Sequence, residues 1–128
     1  MISLGIAVFL ALHGLVHGWY VVLSNGWVEM EDAMGWTGHS WLLSGVLEQG
    51  TVLGLASLGY VLVALGFVAA AAGFWLEADW WPTLLLAAAT LSTVMIVVLW
   101  DGRLDLLVEK GAVGVLINVG LVGWLFLR

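Results

Sequence analysis

The stretch Leu12-His13-Gly14-Leu15-Val16-His17-Gly18-Trp19-Tyr20 places two imidazoles inside an apolar run that begins at Ile2. The two histidines are four residues apart, so on an α-helix they lie one turn apart on the same face. An ionisable side chain in a membrane span normally faces the interior of a helix bundle or a water-filled cavity. The pair therefore predicts a polar pocket inside a helical bundle. A neighbouring stripe of small residues predicts a close approach by another helix, and it comprises Ala7, Ala11, Gly14 and Gly18.

The composition of the chain predicts an integral membrane protein. Of its 128 residues, 63% are hydrophobic and 9% are charged, whereas soluble domains carry about 25% charged residues. A hydrocarbon layer of about 30 Å needs about 20 apolar residues per helix, so this length has room for four spans. Open sheet leaves backbone groups unpaired in lipid. We therefore expect an all-α fold, a bundle of four transmembrane helices forming a single domain over residues 1–128.

Turn residues between the apolar runs predict where the spans end. Ser24-Asn25-Gly26 ends the first span, and Pro82 suits the first turn of the third. In the long apolar connection after the first span, Ser40, Ser44 and Glu48 recur every four residues. This spacing predicts an amphipathic helix that lies in the membrane interface between helices 1 and 2. The four predicted spans are approximately 2–23, 51–76, 82–100 and 111–127.

Charge and residue usage exclude several classes of function. The net charge is -6, and the acids lie in the connections, which argues against binding to nucleic acid or anionic headgroups. The chain has no cysteine, so disulfides and thiolate ligation are excluded. It contains no Walker loop, dinucleotide fingerprint or nucleophile–base set, so we expect it not to be an enzyme on its own. The expected partners are the lipid bilayer and other membrane subunits or a second copy of the chain.

Three ligands are open for the histidine pair. Two imidazoles at this spacing can bind one divalent metal, with Glu48 as a candidate third ligand beside His13 and His17. Haem needs axial ligands from opposite faces, so a second protomer or subunit would have to contribute one. A quinone needs one imidazole N–H for its carbonyl oxygen, with Tyr20 or Tyr60 stacking beside the ring.

A structural role is the alternative to all three. Neutral histidines can tie helices together by bonding to Thr93, to Asn118 or to backbone carbonyls. Asn118 lies alone at mid-depth in the fourth span, where a polar contact is worth about 0.6 to 2 kcal/mol. The candidate cofactor-binding residues are His13, His17, Tyr20, Tyr60 and Asn118.

The order of features resembles the DoxX-like group of small bacterial and archaeal four-helix membrane proteins. The matching residues are Phe9-Leu10-Ala11-Leu12-His13-Gly14-Leu15 in the first helix and Ser40-Trp41-Leu42-Leu43-Ser44 in the first connection, followed by a glycine-rich second helix and two further apolar spans. In architecture the resemblance covers the whole chain. Some members of such groups resemble the membrane subunit of a thiosulfate to quinone oxidoreductase. The resemblance implies a quinone-side or accessory role in a redox assembly of a prokaryotic cytoplasmic membrane.

The sequence thus predicts a small membrane subunit or accessory protein with a histidine-lined pocket for quinone, haem or metal. Two other functions stay open, a purely structural or assembly subunit of a larger membrane complex and a pathway for a small solute or protons. The orientation in the membrane is not decided, because Arg103 and Lys110 on one side oppose Arg128 on the other.

Overall fold

The computed structural model describes residues 1–128, apart from the side chain of Asp32, as helices joined by turns. No β-strand occurs in this described part, which confirms the all-helical class. Helices α1 and α2 continue through His17, whose φ of -64° and ψ of -19° are helical, so they form one rod of 23 residues. The helices are α1 (Ile2–Val16), α2 (Gly18–Ser24), α3 (Gln49–Trp75), α4 (Trp81–Leu99) and α5 (Ala112–Leu127), with a 3₁₀ turn at Asp32–Met34.

Three helical segments are long and apolar enough to cross a membrane. They are the α1–α2 rod, the 27 residues of α3 and the 19 residues of α4. Helix α5 is also apolar but has 16 residues, which corresponds to roughly 24 Å at 1.5 Å per residue. This arrangement is compatible with an integral membrane protein.

Helix α3 is the centre of the bundle. It packs against the α1–α2 rod on one side and against α4 on the other, and α4 in turn packs against α5. Within the described residues, α1 and α5 do not pack against each other. The bundle is therefore open along one side, between its first and last helices.

One glycine of the predicted small-residue stripe allows α1 to approach α3 closely. A Cβ added at Gly14 would lie 2.5 Å from Cβ of Phe67 and 3.1 Å from the carbonyl oxygen of Ala64. A Cβ added at Gly18 would meet nothing within 4 Å. The close contact between the helices is therefore made at Gly14, and Gly18 takes no part in it.

The prediction of an amphipathic helix before Glu48 was wrong. Residues 41–46 form successive turns, and Ser40, expected on the polar face, is fully buried. The amide of Ser40 donates to the hydroxyl of Ser44 over 2.8 Å, and the hydroxyl of Ser40 accepts from the amide of Leu43 over 3.0 Å. These local bonds compete with a helical ladder, which is why the serine spacing did not produce a helix.

The same connection satisfies the carbonyl groups that end helix α4. The last carbonyls of a helix have no partner within it. Here the Trp36 indole donates to the carbonyl of Leu99 over 2.8 Å, and the Trp41 indole donates to that of Val97 over 2.7 Å. The Ser40 hydroxyl donates to the carbonyl of Val98. The apolar, tryptophan-rich connection is therefore fixed on the end of α4 as a cap.

Candidate functional site

The two imidazoles of the first helical rod lie inside the bundle. His13 and His17 are 8% and 3% exposed, whereas Leu12 and Leu15 on the same rod are exposed. The two rings are 5.3 Å apart and almost perpendicular. Both pack against Phe67 of α3, with ring centroids 4.8 Å from His13 and 5.7 Å from His17.

A closed ring of hydrogen bonds joins the two histidines to helices α4 and α5. Nε2 of His13 lies 2.9 Å from Oδ1 of Asn118. The Asn118 amide donates to the hydroxyl oxygen of Ser92 over 2.9 Å, and that oxygen lies 2.7 Å from Nε2 of His17. Nδ1 of His17 is 2.9 Å from the carbonyl oxygen of His13, which closes the ring. Polar side chains of α4, α5 and the first helical rod are thus tied together at this depth.

The carbonyl of His13 fixes the direction of every bond in the ring. A carbonyl only accepts, so Nδ1 of His17 must carry the hydrogen, and Nε2 of a neutral His17 must accept. Ser92 then donates its hydrogen to His17 and accepts from the amide nitrogen of Asn118. Oδ1 of Asn118 is left facing Nε2 of His13, which must donate to it. The ring is complete with both imidazoles neutral.

Thr93 supports the same orientation of the amide. The second hydrogen of the Asn118 amide is donated to the hydroxyl oxygen of Thr93 over 3.1 Å, and the Thr93 hydroxyl donates to the carbonyl of Ala89 over 2.9 Å. The Thr93 hydrogen is therefore already used, and its oxygen is available to accept. The hydroxyl oxygens of Ser92 and Thr93 in α4 both accept at this point, so the nitrogen of the Asn118 amide must face them.

The two tyrosines adjoin the histidines on the side of the connections. Tyr20 and Tyr60 stack with ring centroids 4.7 Å apart and an angle of 20° between the rings, and the Tyr60 ring is 6.1 Å from that of His17. The Tyr20 hydroxyl donates to the backbone carbonyl of Glu109 over 3.2 Å. The structure thus brings together all five residues that the sequence suggested for cofactor binding.

A crevice of about 300 Å³ lies beside His13, His17 and Tyr20, between the first helical rod and α5, and Glu109 before α5 also lines it. Its inner wall includes both imidazoles, and Ile96 and Ile117 supply apolar surface. Val16 and Trp19 on its rim are 64% and 41% exposed on the outer surface of the bundle. The crevice therefore opens sideways, on the side where the first and last helices do not meet.

Glu48 is not brought to the histidine pair. It is exposed and precedes α3 as its N-cap, whereas His17 contacts Tyr60, twelve residues further along the same helix. Twelve helical residues span roughly 18 Å. Among the described residues, no group of three or more His, Asp or Glu side chains is placed to hold a metal ion.

Ser92 is the member of the ring that the sequence did not single out. It is one of several hydroxyl residues in α4, and its full burial marks it as different from its neighbour Thr90, which is exposed. That difference depends on which face of α4 is turned toward α1 and α5.

Comparisons of the chain with protein-family models, curated proteins and solved structures give no significant match. The chemistry of the site is therefore inferred from its own residues.

Proposed function

We propose that this chain is a four-span membrane subunit that binds a quinone-class ring in the crevice between α1 and α5. One observation carries the proposal: two neutral imidazoles line a largely apolar crevice that opens on the lateral surface of the bundle. Small-molecule sites are typically apolar clefts with a few placed polar groups. A quinone dissolves in the bilayer and reaches such a lateral opening without leaving the bilayer.

The closed cycle of hydrogen bonds favours a planar organic molecule as the ligand over a metal ion or haem. Both nitrogens of His17 are engaged, one with His13 and one with Ser92, so binding iron or zinc there would break the ring. A planar ring instead needs only one polar contact and aromatic surface beside it. His13 and Tyr20 offer these on the crevice wall.

The wider proposal is an accessory role in a membrane redox assembly, as the resemblance to DoxX-like proteins suggests. In this proposal α5 is the fourth span, shorter than the others, and the tryptophan-rich first connection lies in the interface. A purely structural role for the histidines is the second candidate. The observation that favours it is the closed ring itself, since interhelical hydrogen bonds of this kind hold membrane helices together.

Binding of a short-chain benzoquinone to the purified protein in lipid nanodiscs tests the proposal. The Gly114→Leu variant places a side chain in the crevice, where a Cβ would meet only Ile96 at 3.5 Å. The matched control is Gly120→Leu on the same helix, where a Cβ would meet nothing within 4 Å. We expect the crevice variant to bind at least about tenfold more weakly, a loss of about 1.4 kcal/mol, and the control to bind like the wild type.

Quenching of tryptophan fluorescence is a suitable readout, because Trp19 lies on the crevice rim. The proposal fails if the wild type binds neither the quinone nor its quinol, or if Gly114→Leu binds them as tightly as the wild type does. Either result leaves the structural role as the function of the histidine pair.

A further inference from the structure

We infer that the crevice selects a ligand that donates a hydrogen bond, so that the reduced quinol is bound in preference to the oxidised quinone. This inference rests on the proposed function and names the redox form of its ligand. It follows from the direction of the hydrogen-bond ring, in which Nε2 of His13 carries the hydrogen that Asn118 accepts. In a neutral imidazole the other nitrogen, Nδ1, then holds a lone pair and can only accept.

This Nδ1 is the one ring nitrogen of the pair without a hydrogen-bond partner among the described residues. Apart from Oδ2 of Asp101, which pairs with Nζ of Lys110 over 2.9 Å, no buried side-chain nitrogen or oxygen in the described part of the chain lacks a hydrogen-bond partner. Nδ1 of His13 is therefore accessible, and the residue it belongs to lines the crevice. A quinol hydroxyl can donate to this atom, whereas a quinone oxygen would face it lone pair to lone pair.

Binding a quinone oxygen at this atom would require the hydrogen bonds between His13, Asn118 and Ser92 to reverse direction. His13 would have to carry its hydrogen on Nδ1, and Nε2 would then need a hydrogen from a rotated Asn118 amide. Oδ1 of that amide would turn toward Ser92, whose only hydrogen is already donated to His17. Since His17 must donate from Nδ1 to the carbonyl of His13, at least one hydrogen bond is lost in the reversed state.

The test compares three probes on the nanodisc protein: a short-chain benzoquinone, its quinol kept reduced under anaerobic conditions, and the quinol with both hydroxyls methylated. We expect the quinol to bind about tenfold more tightly than the other two. The methylated compound matters because it keeps the electron-rich ring and loses only the hydrogens. Equal binding of the quinol and its methylated form overturns the inference.

A variant that frees the Asn118 amide should remove the preference. The double variant Ser92→Ala/Thr93→Val deletes both hydroxyls that accept from this amide, so we expect the ratio of quinol to quinone affinity to fall to about threefold or less. Thr90→Ala, an exposed position on the same helix, should keep the wild-type ratio. A double variant that folds and keeps the full preference contradicts the proposed origin of the selectivity.

Nitrogen NMR of the ¹⁵N-histidine-labelled wild type tests the inference without any variant. We expect the hydrogen of His13 on Nε2 and that of His17 on Nδ1 in the unliganded protein. The opposite tautomer of His13 overturns the inference even if quinone binds. Absence of binding by both redox forms instead refutes the proposed function, so the two failures are distinguishable.

Discussion

At the scale of single residues, Asn118 determines whether the last helix belongs to the bundle. It is the one buried residue of α5, and its amide contacts three residues on two other helices, His13, Ser92 and Thr93. The sequence placed this residue at mid-depth and suggested it as a partner of the histidines, which agrees with its contact to His13. Thr93 was suggested as a histidine partner too, but it accepts from Asn118 instead. The part played by Ser92 could not be predicted, because four hydroxyl residues in α4 are equivalent until the packing face is known.

Replacing Asn118 by leucine should destabilise the bundle by about 1–3 kcal/mol, since it leaves buried polar partners unsatisfied. Val119→Leu on the exposed side of the same helix is the matched control and should change the free energy of unfolding by less than about 0.5 kcal/mol. Unfolding in mixed micelles with increasing SDS measures both. Equal stability of the two variants would show that the ring contributes nothing to the fold.

At the scale of helices, close packing of α1 on α3 depends on a single glycine. Phe67 and the backbone at Ala64 occupy the space next to Gly14, which is why the first rod lies near enough for its histidines to reach α4 and α5. Gly18, one turn later on the same stripe, has open space beside it. A stripe of small residues in the sequence thus predicted the contact but not its position.

Gly14→Ala should therefore weaken the bundle, and Gly18→Ala should not. The new methyl group at position 14 meets Cβ of Phe67 and a carbonyl oxygen, neither of which can rotate away, and overpacking of this kind costs about 1–3 kcal/mol. Alanine at position 18 should be neutral or stabilise the helix by up to about 1 kcal/mol. The melting temperatures in detergent compare the two, and a Gly14→Ala protein as stable as Gly18→Ala would refute the packing argument.

The helix ends were predictable to within two residues, because turn residues and the limits of the apolar runs coincide. For α3 the predicted range of 51–76 compares with Gln49–Trp75 in the structure. The connection before it was not predictable in the same way. Its serines and tryptophans bond to carbonyl groups at the end of α4, and a contact between segments about 60 residues apart leaves no local periodicity in the sequence.

At the scale of the whole molecule, the connection between α4 and α5 is held by a partly buried charge cluster. Nζ of Lys110 lies 2.9 Å from Asp101 and 3.1 Å from Asp105, and the Lys110 and Asp101 side chains are 6% and 4% exposed. The hydrogen bond from Lys110 lowers the pKa of Asp105 below its ordinary value. Burial alone would lower the pKa of Lys110, but the hydrogen bonds to Asp101 and Asp105 outweigh it and raise that pKa.

These two pKa shifts predict how stability depends on pH. Asp105 stabilises the fold above its ordinary pKa of 3.8, and this stabilisation is lost as the pH falls through the lowered value. Lys110 stabilises the fold below its ordinary pKa of 10.5, and this contribution is lost as the pH rises through the raised value. Thermal unfolding from pH 3 to 11 should therefore show a plateau with a fall at each end.

Lys110→Met should remove the alkaline fall and lower the plateau, because it leaves Asp101 buried without its cation. Arg103→Met is the control, since Arg103 pairs with Asp105 at the exposed surface and surface pairs contribute little. An alkaline fall that persists unchanged in Lys110→Met would assign it to another group.

The open side of the bundle has a mechanical consequence. Helices α1 and α5 are linked across the crevice by side chains and not by helix packing. The thickness of a molecule bound in the crevice would therefore set the distance between these two helices. Arg128 directly follows α5, and its guanidinium lies 4.5 Å from the Trp81 ring at the far end of the bundle. Tilting of α5 would change that contact, so the emission of Trp81 would report an event near Asn118, roughly 15 Å away along the helix at 1.5 Å per residue.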